Sequence, residues 1–133
     1  MKILPRISRL LLVLWAGSLW SLLWVTAVLF QLQSDRHLAG VLAGRLFQIE
    51  TYLGLAAAAL AAVLPERRRY VWAYVAAAVL AVNEWILKRV MHAAQVHGTA
   101  AGLSFGAWHG VSAVLYVGAC LAVLVLVWNE DFR

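Results

Sequence analysis

The sequence predicts an all-α integral membrane protein, folded as an antiparallel four-helix bundle. Three observations predict it. Of 133 residues, 65% are hydrophobic and 13% charged, against about 45–50% apolar and about 25% charged in an ordinary soluble domain. Four apolar stretches reach the length of about 20 residues that a bilayer crossing takes. The basic residues fall in short clusters between those stretches, which is a membrane pattern. A soluble globule of this size cannot hide so much apolar surface from water. A disordered tail, a soluble single-core enzyme and a nucleic-acid-binding domain are therefore excluded, despite a net charge of +5.

The first span runs from about Leu10 to Leu32, behind Lys2, Arg6 and Arg9. It is too long for the roughly 7–15-residue apolar core of a signal peptide, and no small-residue cleavage site follows, so it reads as an uncleaved first helix. The second span runs from about Leu38 to Leu64 and ends at Pro65. The third covers about Tyr70 to Val90, and the fourth about Ala100 to Trp128. Backbone polar groups in lipid must be satisfied within the segment, so each span is a helix. The connections are short, which makes neighbours antiparallel. The stretch from His92 to His97 is weakly polar and suits either flanking helix.

Lys2, Arg6 and Arg9 share a side with Arg67, Arg68 and Arg69, and the opposite side carries Arg36, Lys88 and Arg89. Arg133 adds little beside Glu130 and Asp131. The bias predicts a multi-pass inner-membrane protein with both termini cytoplasmic. Tyr70, Trp72 and Trp128 then fall near the cytoplasmic boundary, where interfacial aromatics belong.

Glycines recur at intervals of four in the last span: Gly98, Gly102, Gly106 and Gly110, with Gly118 two steps further on. Gly40 and Gly44 repeat the spacing in the second span, and Gly17 and Ser21 form a small pair in the first. Positions four apart share a helix face. Glycine there lets a partner backbone approach closely. The stripe predicts tight packing within the bundle or between protomers. The alternative is a face thinned to admit a flat ligand. Trp15, Trp20 and Trp24 crowd the first span. They read as packing and lipid contact, with a stacking surface for an aromatic ligand as the alternative. Cys120 lies alone in an apolar run, so no intramolecular disulfide is available.

Ionisable groups inside a span are costly and face the protein interior. The candidates are Arg45, Gln48 and Glu50 in the second span, Asn83 and Glu84 in the third, and His109 in the fourth. In the predicted topology all six fall in the outer half of the bilayer, with Arg45 about two turns and His109 about two to three turns deep. They are expected to form one polar layer. Glu84 and Lys88 are four apart in the favourable order, so a local pair with Lys88 snorkelling outward is the simpler alternative. Arg45 and Glu50 point about 140° apart on one helix. Arg45 is therefore expected to meet Glu84, or Glu50 across a helix interface. Glu50 needs an interhelical partner or a proton. His109 shares a stripe with Ser112 and Tyr116. It is the one weak candidate for a metal or haem ligand, because the spacing of His92 and His97 fits no metal signature. No nucleophile triad and no phosphate-binding loop is present, so catalytic residues are not expected.

The residues also resemble a known family. Trp15 and Gly17 in the first span, Phe30 at its end, Ala39, Gly40, Leu46 and Phe47 in the second, Asn83 in the third, and Phe105, His109, Gly110 and Ser112 in the fourth are similar to the pattern of the transmembrane-protein-205-like family. That resemblance implies a four-span inner-membrane protein with no established enzyme activity. Its eukaryotic members are associated with drug resistance, which implies export or trafficking. The architecture has a looser likeness to four-span copper-resistance and haem-related membrane proteins. Three functions follow as expectations. One is small-molecule or ion transport through the polar layer, with dimerisation supplying room for a pore. Another is haem or copper binding at His109. The third is assembly, as a homo-oligomer or with a larger membrane protein, through the glycine faces.

Overall fold

The structure, a computed structural model, describes residues 3–131. Lys2 and Arg133 lie outside the described residues, as do the side chains of Glu130 and Asp131. The chain is an all-α bundle of four membrane-length helices, each apolar enough to cross a bilayer. Helix α1 spans Ile3–Leu32. Pro5 is tolerated there because it sits in the first turn, where backbone N–H groups have no helical partner.

A short turn leads to Asp35. Its carboxylate accepts from the backbone N–H groups of His37 at 3.0 Å and Leu38 at 3.2 Å, and so caps helix α2, Arg36–Val63. Pro65 ends α2 by forcing Leu64 into extended backbone, φ −77° and ψ 148°. A 3₁₀ turn at Arg67–Tyr70, with an ion pair between Arg69 and Glu66, turns the chain back. Tyr70 is buried at this corner, while Trp72 and Trp128 are exposed.

The third span has three parts. Helix α3, Val71–Val82, widens into a π turn at Asn83–Leu87 and continues as helix α4, Lys88–His97. The weakly polar stretch from His92 thus continues the third span. Gly98 then ends the helix at φ +84°. Strands β1, Thr99–Ala100, and β2, Leu103–Ser104, pair antiparallel around Ala101 and Gly102. Both turn residues have positive φ, 50° and 78°. Two positive angles in succession are what a two-residue hairpin turn of the right twist requires. Helix α5, Phe105–Asp131, follows. The Ser104 hydroxyl accepts from the Ala107 N–H at 3.3 Å, and the Trp108 indole donates to the Ala100 carbonyl at 2.8 Å, which pins the hairpin to the helix.

The hairpin corrects the expected glycine ladder. The fourth helix begins at Phe105 instead of near Ala100, so Gly98 and Gly102 are turn residues and share no helix face with Gly106 and Gly110. The helical glycines at those four-residue intervals also do not serve packing inside the chain. A Cβ at Gly17, Gly40, Gly44, Gly110 or Gly118 would meet nothing within 4 Å, and one at Gly106 only the Ser104 hydroxyl at 3.9 Å. The close approach occurs at Gly54, where a Cβ would lie 3.1 Å from both Leu80 Cδ1 and Trp15 Cζ2.

Helix α1 packs on α2 and α5, and α3 packs on the same two from the other side. The core occupies one half of the bundle, towards the Arg67–Arg69 corner. Leu12, Trp15 and Leu19 of α1 interlock there with Ala73, Ala76 and Leu80 of α3 and Ala119, Val123 and Leu126 of α5. Large residues from one helix fill the space that alanines leave on the next. Outward-facing side chains such as Leu10, Leu14, Trp24 and Val114 are 58–74% exposed. This apolar mantle has lipid as its solvent.

Candidate functional site

The other half of the bundle, towards the α1–α2 turn and the hairpin, is open. The four spans enclose a cleft of about 1110 Å³ there. It extends inward to Thr51, Leu80 and Tyr116, and Arg36, His92 and Phe105 stand nearest the end of the bundle. Helix α4 packs on the hairpin and α5 rather than on α2, which leaves the span two side of this end unfilled.

Five of the six predicted polar residues line this one cleft: Arg45, Gln48, Asn83, Glu84 and His109. Asn83 and Glu84 are carried by the π turn, whose widened ring is marked by the Lys88 N–H bonding to the Asn83 carbonyl. Such turns recur at functional sites because the extra residue redirects side chains. Asn83 is clasped to α5 in both directions. Its amide nitrogen donates to the Ser112 carbonyl at 3.1 Å, and the Ser112 hydroxyl donates to the Asn83 amide oxygen at 2.6 Å. Glu84 is nearly buried at its side chain and accepts from Lys88 Nζ at 2.6 Å. The local pair therefore holds.

Arg45 does not meet a carboxylate. Its guanidinium donates to the neutral Gln48 amide oxygen at 3.1 Å, three residues along the same helix. The expected pairing with Glu84 or Glu50 is thereby corrected, because Lys88 already occupies Glu84 and Glu50 lies on another face. His109 is one turn into α5, about 6 Å from its start, and shallower than expected because the helix begins late. It is exposed and stacks on Phe105, ring centroids 6.0 Å apart. Among the described residues no group of three or more His, Cys, Asp or Glu side chains is placed to hold a metal ion.

Glu50 is not in the cleft. It is 6% exposed, between α2 and α1, with Oε2 3.1 Å from the Ser18 hydroxyl. That hydroxyl is also 2.7 Å from the Trp15 carbonyl. Ser18 has one proton and two neighbours to serve. The Ser18 proton is shared between the Trp15 carbonyl and the Glu50 carboxyl, both of which accept it. Around it, the Tyr116 hydroxyl donates to the Leu19 carbonyl at 2.7 Å, and the Trp20 indole donates to the Cys120 carbonyl at 3.1 Å. This layer ties α1 to α2 and α5 between the cleft and the core. Tyr116 belongs to both regions, since it borders the cleft and packs edge-on to Phe47, ring centroids 4.9 Å apart.

Sequence reasoning passed over Ser18, because a serine in an apolar helix commonly bonds its own backbone. His37 and His92, which are not among the six candidates, also line the cleft. The Arg45–Gln48 bond was accessible from spacing alone, being an i,i+3 pair.

Fold and cleft together define a multi-pass helical membrane protein with a largely apolar cleft, set with a few polar and charged groups, at one end of its bundle. Residues 10–100 match the family model described as "Domain of unknown function (DUF4149)", and the chain belongs to that family. No curated protein and no solved structure matches it.

Proposed function

We propose that the protein is a small inner-membrane transport or resistance protein that takes a small molecule into the cleft. The convergence of Arg45, Gln48, Asn83, Glu84 and His109 on one cavity carries this reading. Isolated polar residues in spans are costly, and three separate helical segments have placed theirs around the same space. The cavity reaches the size of known small-molecule pockets, about 300–1,000 Å³. The positive-inside bias supports an orientation with the Arg67–Arg69 corner and both termini in the cytoplasm, so the cleft opens outward. The resemblance to the transmembrane-protein-205-like family supports the resistance role in particular.

The test is tolerance of a deletion strain to a panel of toxic organic anions, cations and metal complexes, with complementation. Wild type should restore tolerance to at least one class, and Gly44→Phe, which fills the cleft from a position where a Cβ meets nothing, should not. Equal complementation by both proteins would reject the reading.

A second reading, assembly with a second copy or a larger membrane protein, is favoured by Gly17, Gly110 and Gly118. These leave backbone uncovered without packing inside the chain. Specific co-purification lost in Gly110→Leu is its expected mark. A haem or copper role rests on His109 alone, and would show as a Soret band or stoichiometric metal lost in His109→Ala.

A further inference from the structure

We propose that the ligand of the cleft is an anionic amphiphile, a molecule with one negatively charged head and an apolar body. The inference rests on the cleft being the binding site, as argued above, and adds the chemistry of what binds.

The sign of the charge comes first. Arg36, Arg45 and Lys88 line the cleft against a single carboxylate, Glu84. Lys88 takes up that carboxylate at 2.6 Å, so the pair is neutral as a unit. Arg36 and Arg45 have no carboxylate partner among the described residues. Two full positive charges therefore remain on the cleft. Arg45 lies nine residues into α2, about 13.5 Å from Arg36 along the axis, and only a neutral amide meets it. A guanidinium at that depth is stabilised by an anion, with a carboxylate or phosphate offering the two-pronged geometry it matches best.

A second polar group waits at similar depth on the adjacent helix. The Thr26 hydroxyl lines the cleft, is shielded from solvent, and has no hydrogen-bond partner. It lies six residues from the end of α1, about 9 Å in from the turn. A buried hydroxyl without a partner costs about 1–3 kcal/mol. A head group reaching Arg45 from within the cleft would give Thr26 an acceptor.

The apolar body follows from the rest of the wall. Phe30, Phe47, Leu80 and Val117 line the same space. A free phosphate or sulfate would occupy a small part of about 1110 Å³ and leave these side chains uncovered. An attached chain would cover them, with about 25 cal/mol gained per Å² of apolar surface removed from water. Gly40 and Gly44 keep the α2 side free of side chains, so the chain has room beside that helix.

The experiment is a binding titration of the full chain purified in dodecyl maltoside, using 11-(dansylamino)undecanoic acid as the probe. The same dansyl chain carrying a trimethylammonium head is the charge control, and inorganic phosphate is a competitor. The expected result is saturable binding of the acid that Gly44→Phe abolishes and Arg45→Gln weakens about tenfold, with no binding of the trimethylammonium probe and no competition by millimolar phosphate. Competition by phosphatidylglycerol would identify a membrane lipid as the source. Competition by decanoate but not by the phospholipid would identify a single-chain molecule. Either supports the proposal. If the trimethylammonium probe binds as tightly through the Gly44-sensitive site, or if phosphate alone displaces the acid, the cleft stands as a binding site and the anionic amphiphile is overturned. If no probe binds saturably, the binding-site reading falls with it.

Discussion

The two ends of the bundle are built from the same four spans and differ in how they fill the space between them. Towards the Arg67–Arg69 corner, alanines on α3 and α5 accept the large side chains of α1, and Gly54 lets Trp15 and Leu80 close over α2. Towards the hairpin, the π turn and the late start of α5 leave about 1110 Å³ unfilled, and charged groups line it. Both ends contain glycines on α2. One of them, Gly54, is pressed by its neighbours, while Gly40 and Gly44 face open space. Composition alone does not distinguish packing glycines from cavity glycines. The opposing helix decides, by whether it brings a large side chain to that level.

Substitutions at these glycines should therefore diverge most. Gly54→Leu pushes against two side chains already at 3.1 Å from a Cβ. It should lower stability by about 1–3 kcal/mol, the usual cost of overpacking. Gly44→Leu should stay within about 0.5 kcal/mol of wild type. Unfolding in mixed micelles, followed by tryptophan fluorescence, measures both, and equal losses would erase the distinction between the ends. Next in size is Asn83→Ala, which removes both bonds of the clasp to Ser112. A loss of about 1 kcal/mol is expected, in the range measured for polar contacts between membrane helices. A variant as stable as wild type would show that the clasp does not hold the π turn to α5. The smallest effect should come from Glu50→Gln. A glutamine of the same shape keeps an oxygen in place to accept from Ser18, so a change under about 0.5 kcal/mol is expected. A loss of several kcal/mol would mean that a charged carboxylate is held there.

Much of the closed end could be read in advance. Hydropathy located the four spans and Pro65 the end of the second. The open end was legible in its residues but less so in its geometry. Asn83 and Glu84 stood out as polar groups in an apolar span, but nothing local signals that they sit on a π turn. The segment from Gly98 to Ser104 has no drop in hydropathy to announce a hairpin, and its glycines happen to continue the four-residue interval of Gly106 and Gly110. Positive φ at Ala101 and Gly102 reveals the turn, and that angle belongs to the folded chain. Arg45 misled for a related reason. An interhelical carboxylate looked necessary, whereas Gln48 on the same helix was within reach.

The central claim is that one end of the bundle encloses a cleft open to water while the other is closed. Single cysteines introduced in a Cys120→Ala background test it most directly, with the protein in lipid nanodiscs and a water-soluble methanethiosulfonate carrying a sulfonate head. Native Cys120 is fully buried, so its removal leaves the surface unchanged. Gly44→Cys and Ala113→Cys line the cleft and should react readily. Ala76→Cys and Ala119→Cys lie in the core at 0% exposure and should stay unlabelled. Protection of Gly44→Cys and Ala113→Cys to the level of the core positions would mean that the cleft is closed or filled, and would contradict the account.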